Sequence, residues 1–561
     1  MKKIVVIGGV AAGLKSASKA RRNDPQAQIT VVERGELISY GACGMPYYVS
    51  GDVPHLDDLW KTPVGVLRSP EYFKNIKQID VLTQTTALKI DRIAKTVLVK
   101  NLVSQEESLL PYDQLVLATG ASPVRPPLPG IGLANVFTMW HPRDAEAVKQ
   151  GLVDGKYKRT VIIGAGLVGM EMAEALKKSG AEVTVVEMQD NVFPAFLDPE
   201  IAGVVRKYAE EQGIQLLTGE KVTGLKGESA VQSVETENRS IPADMVILAL
   251  GARPNVELAK EAGLTLGATG GIQVDDRLRT SDPDIFAGGD CVENTNMISG
   301  RKVLAPMGST ANKQGRVIGD NLCGGDEVFR GVLNTVVVKV MNLNVGKTGL
   351  SEKDAKTMGY EYLTVMVSGH DKPHYMPGAK LITIKLIVDV PTRKILGMQA
   401  VGEGEVAKRV DVAAAVLTLG GTVQDLFDID LSYAPPYNSP IDNLAAAAMS
   451  AMNKLTGKFK GISPVEAKAK LTDAKTVLLD VRTPDECKQI RIGDCSNIKY
   501  IPLGQLRSRL QELGKDGEIL AFCKISVRGY EAQCILEGEG FENVKVIEGG
   551  IVAWPYCCEK G

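Results

Sequence analysis

Two stretches of the chain repeat one pattern of apolar and small residues. Ile4-Val5-Val6-Ile7 runs into Gly8-Gly9-Val10-Ala11-Ala12-Gly13, a helical stretch follows, and Ile29-Thr30-Val31-Val32 ends at Glu33. Val161-Ile162-Ile163 runs into Gly164-Ala165-Gly166-Leu167-Val168-Gly169, again with a helical stretch, and Val183-Thr184-Val185-Val186 ends at Glu187. Short apolar runs closed by glycine read as buried strands of a parallel sheet. Each copy is therefore strand, glycine turn, helix, strand and terminal acid, and its duplication predicts two dinucleotide sites. The turn glycines let backbone N–H groups approach a pyrophosphate, and the helix N-terminus favours its charge. The closing glutamate can accept hydrogen bonds from a ribose diol. The second copy is intact, whereas the first has Val10 where a second glycine is usual.

Further strands are expected at 115–120, 246–251 and 284–290, each ending in a glycine or at Gly288-Gly289-Asp290. Strands at 336–340 and 381–388, with an Ala-rich helix at 412–419, suggest another domain. An Ala/Met-rich helical stretch at 441–456 precedes Gly457-Lys458-Phe459-Lys460-Gly461, which reads as a linker. A new α/β pattern then opens at Ser463-Pro464, with Ser463 as helix cap and Pro464 in the first turn.

Composition narrows the class. At roughly 100–200 residues per domain, 561 residues predict several domains. Lys+Arg is 65 against Asp+Glu 67, a net charge of −2, which argues against a basic nucleic-acid-binding surface. No apolar run reaches the roughly 20 residues of a membrane span, and the four-residue run after Met1-Lys2-Lys3 is too short for a signal peptide. A cytoplasmic enzyme is expected. Its nine cysteines lack metal-type pairing and its four histidines lack ligand spacing, so no metal is expected.

The paired βαβ units and the strand ending at Asp290 resemble the flavin-dependent pyridine nucleotide–disulfide reductases over about residues 1–445. The resemblance implies two Rossmann-like domains and an α+β dimerisation domain. It places FAD on 1–113 and 250–325, NADH on 114–249, and the dimer interface on 326–445. The FAD residues would be Gly8, Gly9, Ala11, Ala12, Gly13, Glu33, Arg34, Thr119, Gly120 and Asp290, whose carboxylate could hold a ribityl hydroxyl. Gly164, Gly166, Gly169, Glu187 and Gly251 would serve the nicotinamide nucleotide. Glu187 favours NADH, because its charge would repel the extra phosphate of NADPH.

Cys43, in Ser39-Tyr40-Gly41-Ala42-Cys43-Gly44-Met45-Pro46, stands alone where larger relatives carry two cysteines; the next cysteine along the chain is Cys291. Its redox partner must come from outside the pair, as a bound thiol, a persulfide or a sulfenic acid. This segment resembles the coenzyme A–disulfide reductases and their persulfide-reducing relatives. Lys15, Lys19 and Arg22 share one helix face and, with Ser39, are candidates for coenzyme A. Tyr375 and Tyr433 fall in segments resembling the interface loops whose tyrosines reach the partner's cysteine in a homodimer.

Residues 462–561, after a linker at 446–461, resemble an α/β rhodanese domain. A strand delivers Cys523 to a tight loop that runs into a helix, a cradle for a thiolate or persulfide, and Arg528 adds fixed charge. Ser526 replaces a usual loop glycine. Asp480 and Arg482 read as structural. The combination implies NADH- and FAD-dependent reduction of coenzyme A persulfide or other small persulfides and polysulfides at Cys43, with sulfide released. Three alternatives remain open: a coenzyme A–disulfide reductase, an NADH oxidase or peroxidase, and a redox-sensing or sulfur-carrier binding module.

Overall fold

The computed structural model describes every residue except Asp494, Ser496 and Gly561. The chain divides into two compact units. One comprises residues 1–163, 175–182 and 223–332; the other comprises 164–174, 183–222 and 333–561.

The first unit is built on a five-stranded parallel sheet. Its order is Ile285–Ala287, Gln114–Leu117, Lys3–Ile7, Gln28–Val32 and Asp80–Leu82. These strands come from distant parts of the chain, and their apolar residues are almost wholly buried in one core. The helix Ala12–Asn23 packs along the helix Gly308–Asn321. Glycine is required at that contact: a Cβ on Gly315 or Gly319 would lie 2.6 Å or 2.5 Å from the carbonyl oxygens of Ala12 and Ser16. Two antiparallel strands, Ala121–Pro123 and Ala252–Pro254, pair where the chain leaves this sheet and returns to it. The same unit carries the parallel strands Arg159–Ile163, Met245–Leu248 and Val136–Phe137.

The second unit contains the turn at 164–169, the parallel pair of Glu187's strand with Gln215–Thr218, and two further sheets. One is antiparallel, in the order Val336–Val340, Leu343–Gly349, Ile395–Gly402, Leu381–Asp389 and Tyr362–His370. The other is parallel, in the order Gly461–Ile462, Val544–Ile547, Ile519–Phe522, Val477–Asp480 and Ile498–Tyr500. Ser463 caps Pro464–Lys470 in a reciprocal capping box with Glu466, as the sequence predicts.

The Ala/Met-rich stretch is a helix, Asn443–Leu455, as expected, and its Leu444, Ala447, Ala448 and Ala451 are buried. The segment after it, read as a linker, is tied down. Phe459 is buried, and Lys460 donates its N–H to Gln533 at 3.0 Å and accepts from Val546. Glycines at both ends suggested freedom, but the residues between them are anchored to the C-terminal domain and lead straight into its edge strand Gly461–Ile462. Among the described residues, no helix is long and apolar enough to cross a membrane.

Candidate active site

The first turn departs from the extended backbone of Lys3–Ile7 at Gly8, whose φ is +113°. A Cβ there would lie 2.0 Å from the Ala118 carbonyl oxygen, so only glycine fits. Gly9 donates its N–H to Glu33 Oε2 at 2.7 Å, and Gly35 donates to Oε1 at 2.7 Å. Two carboxylate acceptor positions remain for a ligand hydroxyl. The helix starting at Ala12 has no side-chain cap at Ala11, which leaves its first N–H groups open to an anion. Arg34 lies exposed just beyond Glu33. Thr119 is fastened to Asn255, donating from Oγ1 at 2.7 Å and accepting from Nδ2 at 2.9 Å, and Gly120 follows with a φ of +66°.

Asp290 follows Gly289, whose N–H is held by Gln314 Oε1 at 2.7 Å. No hydrogen bond or ion pair reaches the Asp290 carboxylate among the described residues, and burial alone pushes its pKa up to about 6. A carboxylate desolvated without a donor fits a ligand that brings a hydroxyl. The residues present therefore fit FAD.

The second turn repeats the first. Ala165 donates its N–H to Glu187 Oε2 at 2.8 Å, and Gln189 donates to Oε1 at 2.9 Å. Gly164 has a φ of +106°, and open space lies over the Cα of Gly166. Gly251, with a φ of +85°, accepts the Val124 N–H at the strand crossing.

Cys43 lies exposed in the 3₁₀ turn Ala42–Gly44, which leads into the short helix Met45–Ser50. Beside this segment is a cavity of about 390 Å³ whose wall reaches Gly41, two residues before the thiol. Lys15, Arg22, Arg68 and Lys77 line it and no carboxylate does. Burial lowers the Lys77 pKa, and Arg22, Arg68 and Lys15 lower it further. Ser39 also lines the wall, in the left-handed region at φ +53°, with its N–H on Gly9 and its carbonyl accepting from Arg68 at 3.3 Å.

Lys19 shares the helix face but does not line the cavity, because its ammonium is held by Asp320 at 3.1 Å and by Asn23 at 3.0 Å. Arg68, Lys77, Tyr72 and Phe73 were missed. They sit about 50 residues downstream of the first helix, where Ser69 caps Pro70–Lys77. The cap and proline mark that helix in the sequence, but nothing local assigns it to this wall.

Tyr375 and Tyr433 are 65% and 52% exposed on loops of the second unit. The buried Arg409 guanidinium ties both loops down, donating to the Asp371 carbonyl at 2.8 Å and to Asn438 Oδ1 at 3.1 Å.

At the C-terminal sheet, Ile519–Phe522 ends at the buried Cys523. The Cys523 and Lys524 carbonyls accept from Ile551 and Val552, and the helix Val527–Gly538 follows. Ser526 occupies the left-handed region at φ +82°, the reason glycine is usual there, and its hydroxyl donates to the Ile547 carbonyl at 3.1 Å. Arg528 lies against the Cys523 sulfur and forms a bidentate pair with Glu486, at 2.7 Å and 2.6 Å. Asp480 and Arg482 form a buried pair with each other. Among the described residues no disulfide links any of the nine cysteines, and no group of histidine, cysteine or acidic side chains could hold a metal ion.

Residues 2–315 match the pyridine nucleotide-disulphide oxidoreductase family. The chain belongs to this family. The family's dimerisation domain matches 335–445, and a rhodanese-like domain matches 463–556. As an oxidoreductase of this family the chain uses FAD and a nicotinamide nucleotide, and the two turns above fit them. It is 38% identical over 447 residues to the "NAD(P)H sulfur oxidoreductase (CoA-dependent)" of Pyrococcus furiosus, covering 80% of this chain and 98% of that protein. It is 45% identical to the NAD-dependent persulfide reductase from A. fulgidus, with a TM-score of 0.94, covering 98% of this chain and all of that one. Reduced Bacillus anthracis CoADR-RHD is 35% identical, with a TM-score of 0.91, covering 99% and 97%. These two likenesses extend through the rhodanese-like domain.

Proposed function

We propose that the protein reduces coenzyme A persulfide, or another small persulfide or polysulfide, at Cys43 with electrons from NADH, releasing hydrosulfide. The observation that carries this reading is the cavity whose wall includes Gly41 and is lined by four cations and no carboxylate. That charge suits the phosphates of coenzyme A, with the ligand's sulfur end directed toward Cys43. Lys15, Arg22 and Ser39 are retained as contacts from the sequence, and Arg68 and Lys77 join them.

The Cys43 thiolate attacks the coenzyme-bound sulfur of CoA–S–SH, the S–S bond breaks, hydrosulfide leaves with its electron pair, and a Cys43–S–S–CoA disulfide forms. When bound, FAD and NADH supply the two electrons that, with one proton, return the Cys43 thiolate and coenzyme A thiol. Glu33, Asp290 and the first turn hold FAD, while Glu187 and the second turn hold NADH. Cys523, assisted by Arg528, carries sulfane sulfur as a persulfide.

The domain limits follow the sequence reading: FAD on 1–113 and 250–325, NADH on 114–249, the interface on 326–445 and the sulfurtransferase domain on 462–561. The stretch 446–461 joins the last two as structured chain. The exposed Tyr375 and Tyr433 suit a homodimer in which they reach the Cys43 of a second copy. The unbridged cysteines suit the reducing cytoplasm.

The test is anaerobic NADH oxidation with coenzyme A persulfide and coenzyme A disulfide at matched concentrations, with sulfide quantified. Faster turnover of the persulfide, with one sulfide per NADH, supports the proposal. Faster turnover of the disulfide overturns it in favour of disulfide reduction, and rapid oxygen consumption without a sulfur substrate would favour an oxidase.

A further inference from the structure

Two cations flank the cysteine of the C-terminal domain, Lys524 in the loop and Arg528 in the first turn of the helix Val527–Gly538. They are not equivalent. Both Arg528 amino groups are taken by the Glu486 carboxylate in a fork-to-fork pair, at 2.7 Å and 2.6 Å. Glu486 is fixed from the other side as well, because its helix Pro484–Gln489 is closed by a capping box in which Thr483 donates to Oε2 through its N–H at 3.0 Å. Arg528 holds the Glu486 pKa down at about 2, so the pair stays ionic across the working pH range. Arg528 also lies against the Cys523 sulfur. The guanidinium beside the reacting sulfur is thus largely compensated before any donor arrives. Lys524 has no carboxylate partner among the described residues; its ammonium lies near the His370 imidazole, whose pKa is pushed down by burial and by Lys524. Before the Cys523 thiolate is counted, Lys524, Arg528 and Glu486 together leave about one net positive charge there.

We propose that Glu486 is a specificity-determining residue of the sulfurtransferase site, which discriminates against the dianion thiosulfate in favour of organic persulfides carrying at most one charge at the transferring end. The inference rests on the reading of Cys523 as a sulfane-sulfur carrier. With an organic persulfide, the Cys523 thiolate attacks the outer sulfur of R–S–SH, the S–S bond breaks, R–S⁻ leaves with the electron pair, and Cys523–S–SH forms. With thiosulfate, the same attack on the outer sulfur expels sulfite, SO₃²⁻, and leaves Cys523–S–S⁻. Both steps are balanced, but only thiosulfate brings a sulfonate-like dianion up to Arg528, where the carboxylate already sits. Glu486 acts through Arg528 and not on the donor's sulfur, which makes it a positioning residue that sets how much of the arginine's charge a donor meets.

The experiment uses the full-length chain. Thiosulfate affinity is measured calorimetrically in the transfer-incompetent Cys523→Ser protein, with and without Glu486→Gln and Glu486→Asp. Removing one charge at this range should tighten thiosulfate by roughly three- to tenfold in the glutamine variant, while the aspartate variant keeps the weaker affinity. With Cys523 present, the thiosulfate KM should fall by a similar factor in Glu486→Gln, and kcat and the persulfide KM should hold. Equal effects of the aspartate and glutamine variants, or a parallel loss on both donors, would assign Glu486 a purely structural role and overturn the inference. Absence of sulfur transfer from either donor in the unaltered protein would instead defeat the reading of Cys523, while the binding measurement still decides on Glu486.

Discussion

Ala165 donates its backbone N–H to the Glu187 carboxylate at 2.8 Å. The contact pins a full negative charge beside the second glycine turn, where the ribose of a nicotinamide nucleotide belongs. Gly9 and Glu33 make the same contact at 2.7 Å in the first copy. Replacing Glu187 by Gln keeps an acceptor and removes the charge. The preference for NADH over NADPH should narrow by roughly tenfold, as measured by kcat/KM for the two nucleotides with one sulfur substrate. An unchanged ratio would mean that the charge of Glu187 is not what selects the nucleotide.

Cys43→Ser should leave a yellow, folded protein, since the residue is exposed and makes no part of the core. NADH-dependent sulfide release should fall by at least about a thousandfold, as expected when a covalent nucleophile is removed. Retained sulfide release would eliminate the thiolate mechanism.

Arg22→Ala and Lys77→Ala should each raise the KM for coenzyme A persulfide by about tenfold or more, the scale of one charge-assisted hydrogen bond. Lys19→Ala should leave it unchanged, because Asp320 already holds that ammonium. A pH effect accompanies this. Burial and the three neighbouring cations lower the Lys77 pKa in the ligand-free protein. A bound polyphosphate raises it again, so binding takes up protons and affinity weakens as pH rises through the lowered value. Titration calorimetry in buffers of different ionisation heat reads the proton uptake directly.

Asp290→Asn separates stability from cofactor retention. The carboxyl pKa in the fold is about 6, above its ordinary value near 4, so the apoprotein binds the proton more tightly than the unfolded chain does. Its contribution therefore turns unfavourable as pH rises through that interval, by up to about 3 kcal/mol. At pH above 6 the asparagine apoprotein should melt higher than the original apoprotein, while losing FAD more readily on dilution. A lower apoprotein melting temperature would contradict the sign of this argument.

Ser526 offers a backbone test. Glycine at this position relieves the left-handed strain, about 1 kcal/mol, but gives up the hydroxyl bond to Ile547, of similar worth. Alanine gives up the bond and keeps the strain. Thermal unfolding should therefore rank Ser526→Gly close to the original and Ser526→Ala below it.

The residues that act through the backbone next to them were legible in the chain. Gly8, Gly164, Glu33 and Glu187 announce themselves because a sharp turn admits only glycine and because a strand of fixed rise delivers its last side chain to a fixed place. Cys43 and Cys523 stand out for the same reason, each lying on a short turn at the mouth of a helix. The capping box at Ser463 was equally readable, since it is closed within four residues.

Other features depended on distance in space. Lys15, Lys19 and Arg22 look alike along one helix face, and only the approach of Asp320, about 300 residues away, removes Lys19 from the cavity wall. Arg68, just ahead of the helix Pro70–Lys77, and Lys77, at its end, join that wall because Arg21 and Ser18 of the first helix bond to Lys77. The fork between Arg528 and Glu486 joins residues 42 positions apart on different elements. Local pattern determined the two turns, the reactive cysteines and the order of the domains. Which charges are free to meet a ligand and which are already compensated was decided only by the tertiary structure, because Coulomb energy depends on separation through space, and the chain's order does not encode that separation.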